Sequence, residues 1–476
     1  MTYKTIIGLE IHAELMTNTK IFCSCINAFG GDVNTHVCPV CLGLPGAMPI
    51  LNKSVVEYGI KAGIAFNSKI ASKIKMDKKN YFYSDLTKGY QISQDELPLC
   101  QDGYIEIEGD HGPKKVHLIR IHIEEDTGKS VHTDHGDTLL DYNRAGVPLI
   151  EIVSSPEMNS AEEARLFLDK LRATLKYIEV SDCKMEEGSL RCDVNINVVN
   201  VETGKKTIIT EVKNINSFRG VVRAIESEEA RHIALLENGE TNVKETRRWD
   251  EVKNEAVLMR EKGGVANYRF TLEGDIPPTD IALDWVEEIR QSLPELPGHK
   301  KARFIEEYDL SEYDADVLTH SRELAAFYEE TVKYNGDPKL VSNWIMGDVL
   351  RRLNDEELEI HQLKFSAKSL SELLTLVKEG KINNNTGKKV LREMFDTGKE
   401  PETIVKEQGL IQISDEGELI TLIEKILDEN PQSIEDFKNG KDRAIGFLVG
   451  QIMKASKGKA NPQLVNKMLS EKLQER

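Results

Sequence analysis

Strand-type alternation runs through roughly the first 290 residues of this chain and then stops, and that change of pattern constrains the fold more than any single motif. Residues 3–15 set Ile7, Leu9, Ile11 and Ala13 against Gly8, Glu10, His12 and Glu14, which reads as a half-buried strand with a polar outer face. Residues 116–124 read as a second strand. Residues 193–199 read as a third, returning through Glu202-Thr203-Gly204-Lys205 into 207–213 as a hairpin. Between them, Ser160 and Glu163 have capping-box spacing ahead of Leu168, Leu171, Leu175 and Ile178 at helical intervals. Pro294, Pro297 and Gly298 then punctuate the chain, and residues 322–334, 340–353 and 369–379 read as helices. A second break falls at Thr397-Gly398-Lys399-Glu400-Pro401. Beyond it, Ser414 or Asp415 is placed to cap a helix carrying Leu419, Ile420, Ile423 and Leu427. The expectation is an α+β protein: an antiparallel-sheet domain over 1–293, an all-α domain over 294–405 and a small helical tail domain over 406–476. No internal repeat or low-complexity tract interrupts this order.

Composition narrows the function. With 39% hydrophobic and 30% charged residues among 476, the chain can bury real cores. Its net charge of −18 rules out holding nucleic acid through a general positive field, so such contact must be local. One place suits it: from Lys438 onward nine basic residues face three acidic ones, a net +6, with Lys454, Lys457 and Lys459 at the centre of an anion-binding patch. Gly446 and Gly450, four apart in the same stretch, read as helix packing. No apolar run approaches the roughly 18–20 residues needed to span a bilayer. Glu10 and Glu14 within the first apolar stretch do not suit a secretory signal. Seven cysteines, an odd number, then point to reduced thiols or a metal site in the cytosol rather than to a disulfide framework.

Four of those cysteines are clustered. Cys23-Ser24-Cys25 and Cys38-Pro39-Val40-Cys41 bracket a short loop, which suits a structural zinc with four sulfur ligands; the alternative is four unliganded thiols. Cys100, Cys183 and Cys192 read as buried thiols. A second constellation lies on the strands. Glu10 and His12 share a strand face, His122, Glu124 and Glu125 end another strand, and Glu151 is a lone charge inside Leu149-Ile150-Glu151-Ile152-Val153. A carboxylate in such a run demands a partner or a metal. Asp193, Glu211 and Lys213 belong to the hairpin. Carboxylates with an imidazole suit Mg²⁺ or Mn²⁺, the ions used with nucleotide phosphates; the alternative is solvated strand faces and salt bridges. Asp126-Thr127-Gly128-Lys129-Ser130 ends like a P-loop, but Ile123 stands where its first glycine belongs, which leaves Lys129 only as a point charge for a phosphate. There is no G-x-S-x-G and no H-E-x-x-H, so no nucleophilic serine or zinc-protease site is nominated.

The longer motifs carry a resemblance. Ile7-Gly8-Leu9-Glu10-Ile11-His12, Val37-Cys38-Pro39-Val40-Cys41-Leu42-Gly43-Leu44-Pro45-Gly46, Asn80-Tyr81-Phe82-Tyr83, Gly89-Tyr90-Gln91-Ile92-Ser93-Gln94 and Asp141-Tyr142-Asn143-Arg144-Ala145-Gly146-Val147-Pro148 resemble, in order, the GatB family of bacterial tRNA-dependent amidotransferase components. So do Met185-Glu186-Glu187-Gly188-Ser189-Leu190-Arg191-Cys192-Asp193, Lys213-Asn214-Ile215-Asn216-Ser217-Phe218 and Gly450-Gln451-Ile452-Met453-Lys454-Ala455-Ser456-Lys457-Gly458. The resemblance covers nearly the whole chain. It implies a cradle-shaped kinase domain with a zinc-binding loop, a helical domain and a tRNA-contacting tail. It implies a cytoplasmic heterotrimer, in which this chain joins a glutaminase and a small third protein to make a ligase using ATP, with glutamine as amide donor. The side-chain carboxylate of misacylated Glu-tRNA(Gln) or Asp-tRNA(Asn) would be phosphorylated and then attacked by ammonia from the glutaminase. Site residues implied are Glu10, His12, Glu125, Glu151 and Lys129, with Mg²⁺ or Mn²⁺ on His12, Glu125 and Glu151, and Glu124, Asp193 and Glu211 nearby. Strand alternation places Glu124 rather than Glu125 with His122, so both stand as ligand candidates. Ser84 and Thr87 stand where the family pattern leads one to expect other residues, proline in the case of Ser84, and Phe270-Thr271-Leu272-Glu273-Gly274-Asp275 departs from its loop. The competing readings are a zinc-stabilised RNA-binding scaffold without kinase activity, which would not need the carboxylates, and a kinase for a small free acid, which would not need the basic tail.

Overall fold

The computed structural model describes residues 2–109, 112–133, 135–261, 268–411, 416–438, 443–456, 460 and 462–475. They fall into two compact units, Met1–Leu296 and Pro297–Arg476.

In the first unit the alternating segment forms the strand Tyr3–Glu14, which runs through the middle of a nine-stranded sheet. From one edge the order is Glu255–Glu261, Glu245–Asp250, Thr210–Lys213, Leu190–Asn200, Tyr3–Glu14, Pro148–Ser154, Gly112–Glu125, Cys100–Gly109 and Lys69–Ile70. The expected hairpin is present: Leu190–Asn200 pairs antiparallel with Thr210–Lys213. One pair departs from the antiparallel expectation. Thr210–Lys213 and Glu245–Asp250 run parallel, because the helix Phe218–Glu237 carries the chain back before it re-enters the sheet.

Ile7, Leu9, Ile11 and Ala13 point into the core with Ile121, Ile123, Ile150 and Ile152 from the neighbouring strands. The helices Lys53–Ala65, Ala161–Tyr177 and Phe218–Glu237 contribute Val55, Ile60, Phe167, Leu171, Val221 and Ile225 to the same cluster. Ser160 caps the second of these, its hydroxyl accepting from the Glu163 N–H at 3.2 Å. Gly59 permits close approach of the first helix: a Cβ there would lie 2.5 Å from Leu99 Cδ2 and 3.2 Å from Ile123 Cγ2. With one face of the sheet sealed by apolar packing, the alternate side chains are committed to the other.

The second unit is helical and holds two separate apolar clusters. Phe304, Tyr328, Trp344, Leu370, Leu391 and Phe395 belong to the first, which the helix Pro401–Glu407 joins through Ile404 and Val405. Leu419, Ile423, Leu427, Leu448, Ile452 and Leu469 form the second. Gly398 ends the helix Asn384–Thr397 in the left-handed region, φ +69°, as the glycine at that break requires. The helix expected over 340–353 is instead Pro338–Trp344, a π-helical turn Ile345–Val349 and Leu350–Asp355. Ser414 and Asp415 lie outside the described residues; the helix they were expected to cap is Glu416–Glu429.

Candidate active site

Directly paired residues on adjacent strands share a face, so the register alone assembles the site. His12 is opposite Glu151 on one side and Arg191 on the other, and Glu151 is opposite His122. His122, Glu151, His12 and Arg191 thus form a row across four strands, on the face turned away from the core. Two residues along their strands, Glu10 and Glu124 extend it. The His12 Nε2 lies 3.3 Å from Glu151 Oε2, 3.7 Å from Glu124 Oε1 and 3.8 Å from Glu10 Oε1. The His122 Nε2 lies 3.5 Å from both Glu124 Oε2 and Glu151 Oε2. Ser93 donates to Glu124 at 3.0 Å. The ligand atoms of Glu10, His12 and Glu151 all lie within 4.8 Å of one another, as do those of His122, Glu124 and Glu151.

The electrostatics follow from this crowding. Burial disfavours the Glu151 carboxylate, but the charge of His122 and the hydrogen bond and charge of His12 outweigh it and hold its pKa well below the usual carboxylate range. Burial likewise disfavours charge on His12, yet the hydrogen bond and charge of Glu151 with the charge of Glu124 push it up to about 9. Glu10 goes the other way, raised by burial and by Glu151. The donor set fits a hard divalent cation: carboxylate oxygens and imidazole nitrogens converge on one face. In addition, His122 Nδ1 is buried without a hydrogen-bond partner among the described residues.

Glu125 is not brought to this cluster. It is one residue out of phase with His122 and Glu124, so its side chain leaves the other face of the strand, where Lys88 Nζ donates to Oε2 at 2.6 Å and the Ile92 N–H to Oε1 at 2.8 Å. There it lines a cavity of about 230 Å³ with Lys88, Tyr90, Cys23 and Cys41. Where the resemblance names Glu125, the geometry places Glu124. Asp193 stands opposite Glu10 and is paired with Lys213, which also reaches Glu211 at 3.1 Å. Lys129 is exposed at the start of the ribbon Lys129–His132, with no ion-pair partner among the described residues. The neighbouring turn offers no phosphate cradle: the amides of Asp126, Thr127 and Gly128 already donate to Val147 O, Asp126 Oδ1 and Asp85 O at 2.8, 2.8 and 2.9 Å.

Residues that the sequence reading passed over complete the wall. Arg191 donates to the buried Asp126 at 2.7 Å, and Arg144 Nε lies 3.4 Å from the same carboxylate. Lys79 adds positive charge near Glu151. Arg191 was accessible by parity, two positions before Asp193; Lys79 was not, since only tertiary folding carries it there.

The four sulfurs of Cys23, Cys25, Cys38 and Cys41 lie within 4.8 Å of one another. A tight turn, Leu42 N–H to Cys38 O at 3.0 Å, presents the second pair, and the Cys38 N–H points at Cys41 Sγ, 3.1 Å away. A hydrogen bond from Cys23 holds the Cys41 thiol down to about 4 against its burial, with help from the Cys38 N–H and Lys20. These donors match a tetrahedral zinc site. Cys100, Cys183 and Cys192 are buried elsewhere, and burial raises all three thiols. In the tail, Lys454 is exposed in the last turn of the helix Arg443–Ala455, while Lys457 and Lys459 lie outside the described residues. No helix among the described residues is long and apolar enough to cross a membrane.

The profile of the GatB/GatE catalytic domain matches residues 5–287, and that of the GatB domain matches residues 326–473. Three similar curated proteins are each called the B subunit of an aspartyl/glutamyl-tRNA(Asn/Gln) amidotransferase. That of Clostridium tetani is 55% identical over 474 residues, covering 99% of each chain. That of Finegoldia magna is 54% identical over 473 residues, covering 99% of this chain and 100% of its own. One from Clostridium botulinum is 54% identical over 472 residues, covering 99% of each chain.

Proposed function

The chain belongs to the GatB family, and on that footing we propose that it is the B subunit of a tRNA-dependent amidotransferase, the component that activates the aminoacyl carboxylate. The observation that supports this reading best is the convergence of Glu10, Glu124 and Glu151 on His12 and His122 over one face of the sheet. A carboxylate is a poor electrophile until one of its oxygens is part of a phosphate leaving group. Transferring that phosphoryl from ATP requires positioning and charge neutralisation more than covalent chemistry. A divalent cation, Mg²⁺ or Mn²⁺, held by His12, Glu124 and Glu151 with Glu10 beside them, would supply the neutralisation. In this reading Glu151 fixes both imidazoles, and Ser93 and His122 aim Glu124. Lys213 keeps Asp193 and Glu211 in place at the flank of the cluster. Lys129 remains available as an exposed charge for a phosphate or for the tRNA.

Ammonia then attacks the acyl phosphate. Nothing in the sequence nominates a glutaminase nucleophile, so we assign its release to a partner glutaminase, with a small third protein completing a heterotrimer. Zinc on Cys23, Cys25, Cys38 and Cys41 is structural, since all four ligand positions are filled by protein. The local +6 of the tail, with Lys454, Lys457 and Lys459, is assigned to tRNA. A zinc-stabilised RNA-binding scaffold without kinase activity accounts less well for this chain, because it gives no role to three carboxylates crowded against two imidazoles. The test is an amidation assay on Glu-tRNA(Gln) and Asp-tRNA(Asn), with ATP and both partner proteins added. Amide formation on at least one of them is expected. Tight tRNA binding with no ATP-dependent product on either would establish the scaffold instead.

A further inference from the structure

Lys20 is among the largest side chains with no solvent exposure at all, and it has no carboxylate within 4 Å among the described residues. An isolated ammonium in that position is strongly disfavoured. Its surroundings show what it is for. Three acceptors ring the Nζ: His36 O at 2.7 Å, Ala145 O at 2.7 Å and Cys41 Sγ at 3.8 Å. These three acceptors match in number the three N–H donors of a lysine ammonium. The missing anion is then on the sulfur side. Four thiolates around one Zn²⁺ leave two negative charges in excess, in a loop where Cys41 itself is buried.

We propose that Lys20 is the charge-balancing residue of the four-cysteine zinc site: its ammonium donates to Cys41 Sγ and offsets the excess charge of the metal–thiolate centre. This rests on the reading that the four cysteines hold zinc. The two carbonyl contacts give the same residue a second effect. Ala145 precedes Gly146, whose carbonyl accepts from the Ile21 N–H at 3.0 Å, and lies three residues before the strand Pro148–Ser154 that carries Glu151. Lys20 therefore ties the metal loop to the segment leading into the candidate active site, as outer-shell partners of metal ligands commonly do.

The test uses the full-length chain with Lys20→Met, which removes the charge and every tie, and Lys20→Gln, which keeps an N–H donor without the charge. Zinc affinity is read by competition with a chromophoric chelator. Both variants should lose affinity by about 10-fold or more, the range set by outer-shell substitutions. In the cobalt-substituted protein, the thiolate-to-metal charge-transfer band should move to longer wavelength in both, because a hydrogen-bonded, charge-compensated sulfur holds its electrons more tightly. Lys20→Gln matching the wild type in affinity and spectrum would overturn charge balancing and leave only a tie. If neither variant folds, the wild type carries the test by amine labelling and peptide mass spectrometry. Lys20 should become at least about 10-fold more reactive after chelation, and equal reactivity with and without zinc would overturn the proposal. Wild-type protein that holds no zinc under reducing, metal-replete conditions would instead refute the zinc reading on which this one stands.

Discussion

Replacing Glu151 by Gln keeps its shape and removes its charge, and two consequences of very different size follow. The first is on stability. Glu151 is 5% exposed and lies 3.3 Å from His12 and 3.5 Å from His122. Stripping the partner from a buried charge typically costs about 3–5 kcal/mol. Here there is a smaller exit: Glu151 itself sustains the His12 pKa near 9, so in the variant His12 can lose its proton, and the loss is limited to what that protonation supplies at pH 7.5, about 2 kcal/mol. The smaller figure governs. It corresponds to a melting shift of several degrees and leaves a domain of ordinary stability folded. The second consequence is on chemistry. On the proposed reading, losing a ligand of the cation that would neutralise the transferring phosphoryl should cost several kcal/mol of barrier, roughly a thousandfold in rate. Glutamine hydrolysis should persist at its basal level, because the proposed function assigns its nucleophile to the partner glutaminase. The assay reconstitutes Glu151→Gln, and separately His12→Ala, with the glutaminase and the small third protein. It confirms folding by thermal melting, then measures acyl-phosphate formation and glutaminase activity independently. Acyl-phosphate formation within about tenfold of wild type in both variants would refute the assignment of this face as the kinase site.

Three further outcomes follow from the same structure. Cys38→Ser should lower the bound zinc, expected at about one per chain, and lower the melting temperature more than it lowers acyl-phosphate formation by the folded fraction, because a structural metal acts through folding; metal analysis and calorimetry read both, and wild-type protein without zinc removes the premise. Deleting the residues after about 405 should weaken tRNA binding and flatten its salt dependence while the unit Met1–Leu296 stays folded; unchanged affinity would exclude a tRNA role for the tail. Glu228 is buried against Arg231 at 2.6 Å and against Arg247 and His232 at 3.5 Å, and the hydrogen bonds of His232 and Arg231 outweigh burial to lower its pKa. A depressed carboxylate stabilises the fold above its unfolded pKa and loses that contribution as pH falls through its folded value. Glu228→Gln should therefore cost about 3–5 kcal/mol at pH 7 and progressively less in acid, and equal urea midpoint shifts at both pH values would contradict it.

Much of the site was legible because its residues break local rules. Glu151 stands alone in an apolar run, His12 and Glu10 fall on the polar side of an otherwise hydrophobic alternation, and the cysteines carry their own spacing. What sequence could not supply was strand pairing. Nothing local says that 148–154 and 190–200 flank the first strand, so the row from His122 to Arg191 emerges only from non-local register. The same limit explains Glu125: parity excluded it from the face of His122, but the lysine that claims it comes from 37 residues away. The parallel pair at Thr210–Lys213 was hidden for a related reason, since a crossover helix and a loop connection look alike until the sheet order is known. Lys20 left no signal whatever, because a single lysine in a polar turn is ordinary until its burial is seen.

The sheet explains why these features occur together. Packing Ile11, Ile121, Ile123, Ile150 and Ile152 into one core forces His12, His122 and Glu151 onto the opposite face with no freedom of direction. Three carboxylates so placed repel one another, and the protein answers only part of that repulsion: His12 takes a proton, Lys79 lends charge, and Glu10 is left with a raised pKa. Arg191, which could have neutralised the row directly, is instead drawn to Asp126, and Lys213 to Asp193 and Glu211. The cations are thus held at the rim while the centre keeps its negative excess. That distribution is unfavourable for the free protein, and the divalent cation proposed for this face would offset it by satisfying the carboxylates together. A surface under selection for folding alone would place an arginine among those carboxylates, and its absence from the centre among the described residues supports the proposed cation site.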